Sequence, residues 1–93
     1  MSTNTVHYRI PPDILFHELS GEAVLLNLDS GQYYSLDEIG TRMWLLITEY
    51  GQIEPVIAAL LQEYDVTEQQ LRADLDKLLS EFTVQGLLTR DEA

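Results

Sequence analysis

AVLLNLDSGQYYSLDEIGTRMWLLITEY, residues 23–50, joins a β-hairpin directly to an amphipathic helix. Leu25, Leu26 and Leu28 lead into Asp29-Ser30-Gly31, and a further strand runs over 32–36. A three-residue loop ending in Gly fits a type I turn closed by a left-handed residue, because Gly has no Cβ to clash there. Ser35-Leu36-Asp37-Glu38 then carries helix-start chemistry. Ser35 or Asp37 can accept from an orphan backbone N–H, and Ser35 with Glu38 has capping-box spacing. A strand that runs straight into a helix leaves little room for a long crossover beside it. Strand 32–36 is therefore expected at a sheet edge, open to a partner.

Upstream, residues 1–11 are expected to form a flexible segment. Positions 1–9 are polar and untethered, and Pro11-Pro12 forces an extended, non-helical entry. Positions 14–19, ILFHEL, have strand composition, and Ser20-Gly21 suits a two-residue hairpin turn into 22–28. Both strands carry apolar residues on each face. One face must bury against helices, and the other is left for the Pro-rich entry or a second molecule. In strand 32–36, alternation sends Tyr34 and Leu36 to the core and Tyr33 and Ser35 the other way. Tyr33 is then partly exposed, where its ring and hydroxyl can receive an apolar ligand group.

Downstream, a helix over 38–50 places Ile39, Met43, Leu46, Ile47 and Tyr50 on one stripe, with Trp44 flanking it. Gly40 costs up to about 1 kcal/mol relative to Ala in a helix. Close approach of a neighbouring backbone is the expected compensation. Gly51 ends this helix, and Pro55 fits the first turn of the next, whose apolar side is Val56, Ile57, Leu60, Leu61 and Tyr64. Thr67 starts the third helix, with Gln70 at capping-box spacing. Leu71, Leu75, Leu78 and Phe82 share one stripe with Leu79 beside it, while Asp74 and Lys77 flank the opposite side. Gly86 suits the C-terminal cap, Leu87-Leu88 should tuck back onto the body, and Asp91-Glu92-Ala93 should fray. The pattern predicts one α+β domain over 12–90, a three-stranded antiparallel sheet followed by three helices, on a winged helix-turn-helix-like plan.

Composition narrows the function. Ninety-three residues with 45% apolar side chains are enough for one core. No apolar run approaches the roughly 20 residues of a transmembrane helix, and the start lacks a signal-peptide pattern, so a cytoplasmic location is expected. Without cysteine there is no disulfide, thiolate nucleophile or Cys-based metal site. Five basic against sixteen acidic residues give a net charge of −11, which repels nucleic acid and anionic membrane and favours a basic protein partner. The third helix carries Arg72 and Lys77 against Glu68, Asp74, Asp76 and Glu81, the wrong balance for a DNA-reading helix.

No catalytic constellation is present. His7 and His17 stand in no metal-ligand or triad spacing, and no HExxH, phosphate loop or nucleophile elbow occurs. Asp29-Ser30 has the Asp-Ser order of an acyl carrier protein, but Gly31 and two tyrosines follow, in a turn rather than at a helix start. Neither a catalytic residue, a metal nor a cofactor is expected.

The ordered set running from Glu22-Ala23-Val24-Leu25-Leu26-Asn27-Leu28-Asp29-Ser30-Gly31-Gln32-Tyr33-Tyr34-Ser35-Leu36-Asp37-Glu38-Ile39-Gly40 through Met43-Trp44, Tyr64-Asp65-Val66, Asp74, Leu78 and Gln85-Gly86-Leu87-Leu88 resembles the PqqD-like family. That family consists of non-catalytic recognition elements for ribosomally made, post-translationally modified peptides. The resemblance implies that a precursor's leader adds as a strand to strand 32–36 and lies against the third helix. Carried over by position, the docking edge is Gln32, Tyr33, Tyr34 and Ser35, and the helix wall is Leu71, Asp74, Leu75 and Leu78, with Lys77 at its rim. It further implies delivery to modifying enzymes. Length and the LLNLDSGQYYSL stretch look most like the recognition proteins of lasso-peptide pathways, which work with a leader peptidase and a cyclase. The alternatives are the pyrroloquinoline quinone pathway peptide chaperone, serving a radical SAM enzyme, and a winged-helix transcriptional regulator. An open edge and a two-faced hairpin allow self-pairing, so a monomer or a weak homodimer is expected.

Overall fold

The computed structural model describes residues 6–92. The order of elements is β1 (Val6–Arg9), β2 (Ile14–Leu19), β3 (Glu22–Asn27), β4 (Tyr33–Leu36), α1 (Glu38–Tyr50), α2 (Ile53–Glu63), α3 (Glu68–Val84) and β5 (Thr89–Glu92). β2, β3 and β4 form the expected antiparallel sheet in that spatial order, and the three helices follow.

Both hairpin turns follow from their residues. Ser20 and Gly21 have φ of 55° and 85°, the pair of positive angles that closes a two-residue hairpin with the strands' own twist. At the second turn Gly31 sits at φ 76°, but the loop is one residue longer than expected. Gly31 N donates to Asn27 O at 2.8 Å, closing a four-residue loop of Leu28, Asp29, Ser30 and Gly31. Leu28 N donates to Asp13 O at 2.9 Å, carrying the β2–β3 pairing one position beyond Ile14 and Asn27. Asn27 Oδ1 accepts from Asp29 N and Ser30 N, at 3.0 and 3.3 Å, and stiffens the turn.

Asp37, rather than Ser35, caps α1, accepting from Gly40 N at 2.8 Å. Gly40 is buried, but what crowds it is side chain, not a neighbouring backbone. A Cβ there would stand 3.1 Å from Asp37 Oδ1 and 3.4 Å from Leu36 Cδ2. The glycine thus lets the cap and the end of β4 close down on the first helical turn. Thr67 caps α3 through Gln70 N at 3.2 Å, while the Gln70 side chain turns away to donate to Asp74. Only half of that capping box forms.

Trp44 is the centre of the core, not a flank of it. Its ring stacks on Phe16 of β2 (centroids 6.5 Å apart) and meets Phe82 of α3 edge-on at 5.2 Å. α1 is packed by the sheet on one side and by helices on another, so its buried arc is wider than one stripe. Ile39 and Tyr50, at its ends, stay exposed. Leu25, Leu36, Ile47, Val56, Leu60, Leu71, Leu75 and Leu79 complete the core, and Leu87 and Leu88 tuck into it as expected. Arg42–Glu63 at 2.6 Å ties α1 to α2, and Arg72–Glu54 at 2.7 Å ties α3 to α2. Arg42 holds the Glu63 carboxyl below its usual range, and Arg72 does the same for Glu54.

The two ends of the chain depart from the sequence reading. Val6–Arg9, expected to be loose, pair antiparallel with Thr89–Glu92, so Asp91 and Glu92 are laddered rather than frayed. Tyr8 is buried, and its N–H donates to Gly51 O at 2.8 Å, fastening the ribbon to the α1–α2 corner. Main-chain pairing between segments this far apart in the chain leaves no trace in local polarity. Residues 1–5 of the expected flexible segment, and Ala93, lie outside the described residues.

Candidate functional site

β4 pairs with β3 alone, and among the described residues its other margin meets no strand. The register is Ala23↔Leu36, Val24↔Ser35, Leu25↔Tyr34 and Leu26↔Tyr33. Asn27 N donates to Gln32 O at 2.8 Å, which fixes the phase of the ladder. In an antiparallel pair, bonded and non-bonded positions alternate. Gln32, Tyr34 and Leu36 therefore turn their main-chain groups toward β3. Tyr33 and Ser35 turn theirs outward. The expected edge of Gln32, Tyr33, Tyr34 and Ser35 thus divides, with two residues presenting free main chain and two committed to the sheet.

Side chains divide the other way. Tyr33 lies on the outer face of the sheet and is 74% exposed. That face also bears Leu15, Leu19 and Val24. Tyr34 points toward α3, where its ring meets Phe82 edge-on at 5.8 Å and its hydroxyl donates to Glu81 Oε1. The hydrogen bond to that carboxylate, with partial burial and the carboxylate's charge, pushes the Tyr34 hydroxyl up to about 12.

Beside Tyr34 a groove of about 400 Å³ opens onto α3, lined by Tyr34, Asp76, Lys77, Ser80, Glu81, Val84 and Gln85. Val84 is 81% exposed, an apolar side chain standing free at the end of the helix. Of the expected helix wall, Lys77 lines this groove. Leu78 is half-buried against the core, and Asp74 is exposed, accepting from Gln70 Nε2 at 2.9 Å. Leu71 and Leu75 are core residues, 2% and 1% exposed, and offer no side-chain surface to a guest. The difference is one of helix rotation: Leu71, Leu75, Leu79 and Phe82 turn into the core, where Phe82 meets Trp44, so the groove falls on the next strip of α3. Asp76, Ser80, Glu81, Val84 and Gln85 also line the groove, and the sequence reading names none of them for it. The signal available for them is the apolar Val84 set among polar neighbours on the side of α3 away from the leucines.

Charge is uneven in the same place. Arg9, Arg42 and Arg72 are engaged in ion pairs with carboxylates, while Lys77 stands at the groove beside Asp76 and Glu81. Among the described residues no group of three or more His, Asp or Glu could hold a metal ion, and no helix is long and apolar enough to cross a membrane. His17 is exposed on β2, and His7 lies in β1 rather than in a tail.

No curated protein matches the chain. Among solved structures, it is similar to TbiB1 in complex with the TbiA(beta) leader peptide, at 32% identity over 86% of this chain and 93% of that one, with a TM-score of 0.79. It also shares the fold of lasso peptide synthetase B1 complexed with the leader peptide, at 22% identity over 89% of this chain and 98% of that one, TM-score 0.81. The family model for coenzyme PQQ synthesis protein D matches residues 22–88, from the first residue of β3 to the two leucines that close the core. With that match covering well over half of its length, the chain belongs to the PqqD family.

Proposed function

We propose that this chain is a non-catalytic adaptor that binds the leader region of a ribosomally made precursor peptide. The leader adds as a strand to the open margin of β4, along the groove on α3, and is delivered to the enzymes that process it. One observation carries the reading: the main-chain groups of Tyr33 and Ser35, unpaired among the described residues, stand beside a groove lined in part by the Tyr34 ring and the exposed Val84. The likeness to TbiB1, a protein solved with a leader peptide bound, supports it. So does membership of a family of recognition elements rather than enzymes.

Each added main-chain bond nets about 1 kcal/mol, and a micromolar complex needs about −8 kcal/mol. Main chain alone therefore gives weak, unselective binding. The remainder comes from one or two guest side chains buried between Tyr34 and the α3 strip of Lys77, Val84 and Gln85. Leu71 and Leu75 contribute by holding α3 on the core.

The enzymes served are a leader peptidase and a cyclase of a lasso-peptide pathway, a reading supported by the LLNLDSGQYYSL stretch and the shared fold. The family's description favours a second reading, a chaperone of pyrroloquinoline quinone synthesis serving a radical SAM enzyme. Both use the same groove and differ in the partner. A regulator that binds DNA is disfavoured by the net charge of −11.

Titration of isotope-labelled protein with synthetic leaders of candidate precursor peptides tests the site. Amide shifts are expected at Tyr33 and Ser35 and along 77–85. Shifts confined to α1 and α2, with 32–35 silent, overturn it. Co-elution of the leader-bound chain with a peptidase and cyclase, or with a radical SAM protein, separates the two pathways.

A further inference from the structure

We infer that the hydrogen bond from the Tyr34 hydroxyl to the Glu81 carboxylate is a strut that sets the spacing of β4 and α3, making these two side chains positioning residues for the guest strand. The inference rests on the adaptor reading and adds to it which residues hold the groove open at its working width.

β4 is four residues long and is laddered along one side only. The side chain of Tyr34 bridges it to α3, through Phe82 and through Glu81. The two contacts differ in kind. The edge-on ring contact is apolar and tolerates sliding, whereas a hydroxyl-to-carboxylate bond is directional and is strengthened by the charge on its acceptor. Both partners are half-buried, so water competes with the bond less than it would on an open surface. The bond therefore fixes where the Tyr34 ring stands relative to α3.

Tyr34 and Glu81, joined by this bond, both line the groove. A strand added to β4 sends every second side chain toward α3. Those side chains must pass between Tyr34 and the strip of Lys77 and Val84. Their fit is decided by the spacing that the strut holds. Because the outward main-chain groups are those of Tyr33 and Ser35, the strut leaves the docking margin uncovered. It orders the site and does not close it.

The test uses the tightest β4-binding peptide selected on the wild-type chain from a displayed library of random peptides. Tyr34→Phe keeps the ring against Phe82 and removes the hydroxyl. Glu81→Ala removes the acceptor, and Glu81→Gln keeps an oxygen that can accept. We expect Tyr34→Phe and Glu81→Ala each to weaken binding about fivefold, and Glu81→Gln to restore most of the loss. The double variant Tyr34→Phe/Glu81→Ala should be no weaker than either single one, because both remove the same bond. A purely structural pair would instead lower the melting temperature and leave the affinity of the folded protein alone. Wild-type affinity in Tyr34→Phe, or losses that multiply in the double variant, overturns the strut. If the library yields no binder at β4, the adaptor reading fails by itself. The strut is then decided without ligand by hydrogen exchange of the Tyr34 and Leu36 amides. Faster exchange in Tyr34→Phe, by about tenfold and confined to β4, is the expected result, and an unchanged rate overturns it.

Discussion

Leu26 and Tyr33 stand opposite one another across the β3–β4 ladder at a non-bonded pair, so Tyr33 turns both its N–H and its C=O to the open margin. Proline is tolerated on edge strands whose N–H faces outward. Tyr33→Pro should therefore leave the fold intact while removing one of the two outward donors and stiffening the margin. Leader affinity is expected to fall at least about tenfold, with the far-ultraviolet circular dichroism unchanged. Full affinity in the folded variant would count against strand addition.

Leu75, expected at a groove wall, is instead a core residue, 1% exposed. Leu75→Ala should cost about 2–5 kcal/mol in urea denaturation, from lost burial plus the cavity left behind. A small domain has about 5–15 kcal/mol in total, so the variant should remain mostly folded at low temperature. There its leader affinity should change far less than its stability. A specificity change larger than the stability loss would mean that α3 rotates on binding.

Asp37 joins the docking strand to the first helix, and its side chain accepts from Gly40 N. Asp37→Ala should cost about 1 kcal/mol of stability, the usual worth of an N-terminal cap. Part of the lost order should appear in β4, which ends at the preceding residue. Amide exchange across 33–41 is expected to quicken, with α2 and α3 unchanged.

The Tyr34 hydroxyl is held neutral up to about pH 12 by Glu81, above an ordinary tyrosine near 10. A folded value above the unfolded one means that the contribution is present below about pH 10 and is lost as pH rises through 12. The stability advantage of wild type over Tyr34→Phe should thus shrink between those values. Ultraviolet titration should show one late-ionising phenol in wild type that is missing from the variant.

Residues 23–50 carry most of what is legible in the chain from local chemistry. Alternation in YYSL separates Tyr34 and Leu36 from Tyr33 and Ser35, and the folded protein keeps that division. Strand, turn and cap residues act within a few positions of one another, so hairpins, helix ends and the edge placement of β4 are local information. Packing is not local. The rotation of α3 that buries Leu71 and Leu75 and presents Lys77, Val84 and Gln85 is set by Trp44 and Phe82 meeting across the core. The β1–β5 ribbon depends on pairing across nearly the whole chain, and the bond between Tyr34 and Glu81 spans 47 positions. The sequence by itself determined that β4 closes one edge of its sheet, because a helix begins almost as soon as that strand ends. Only the tertiary structure decided what faces the strand across the groove, because that depends on how side chains far apart in sequence fill one shared core.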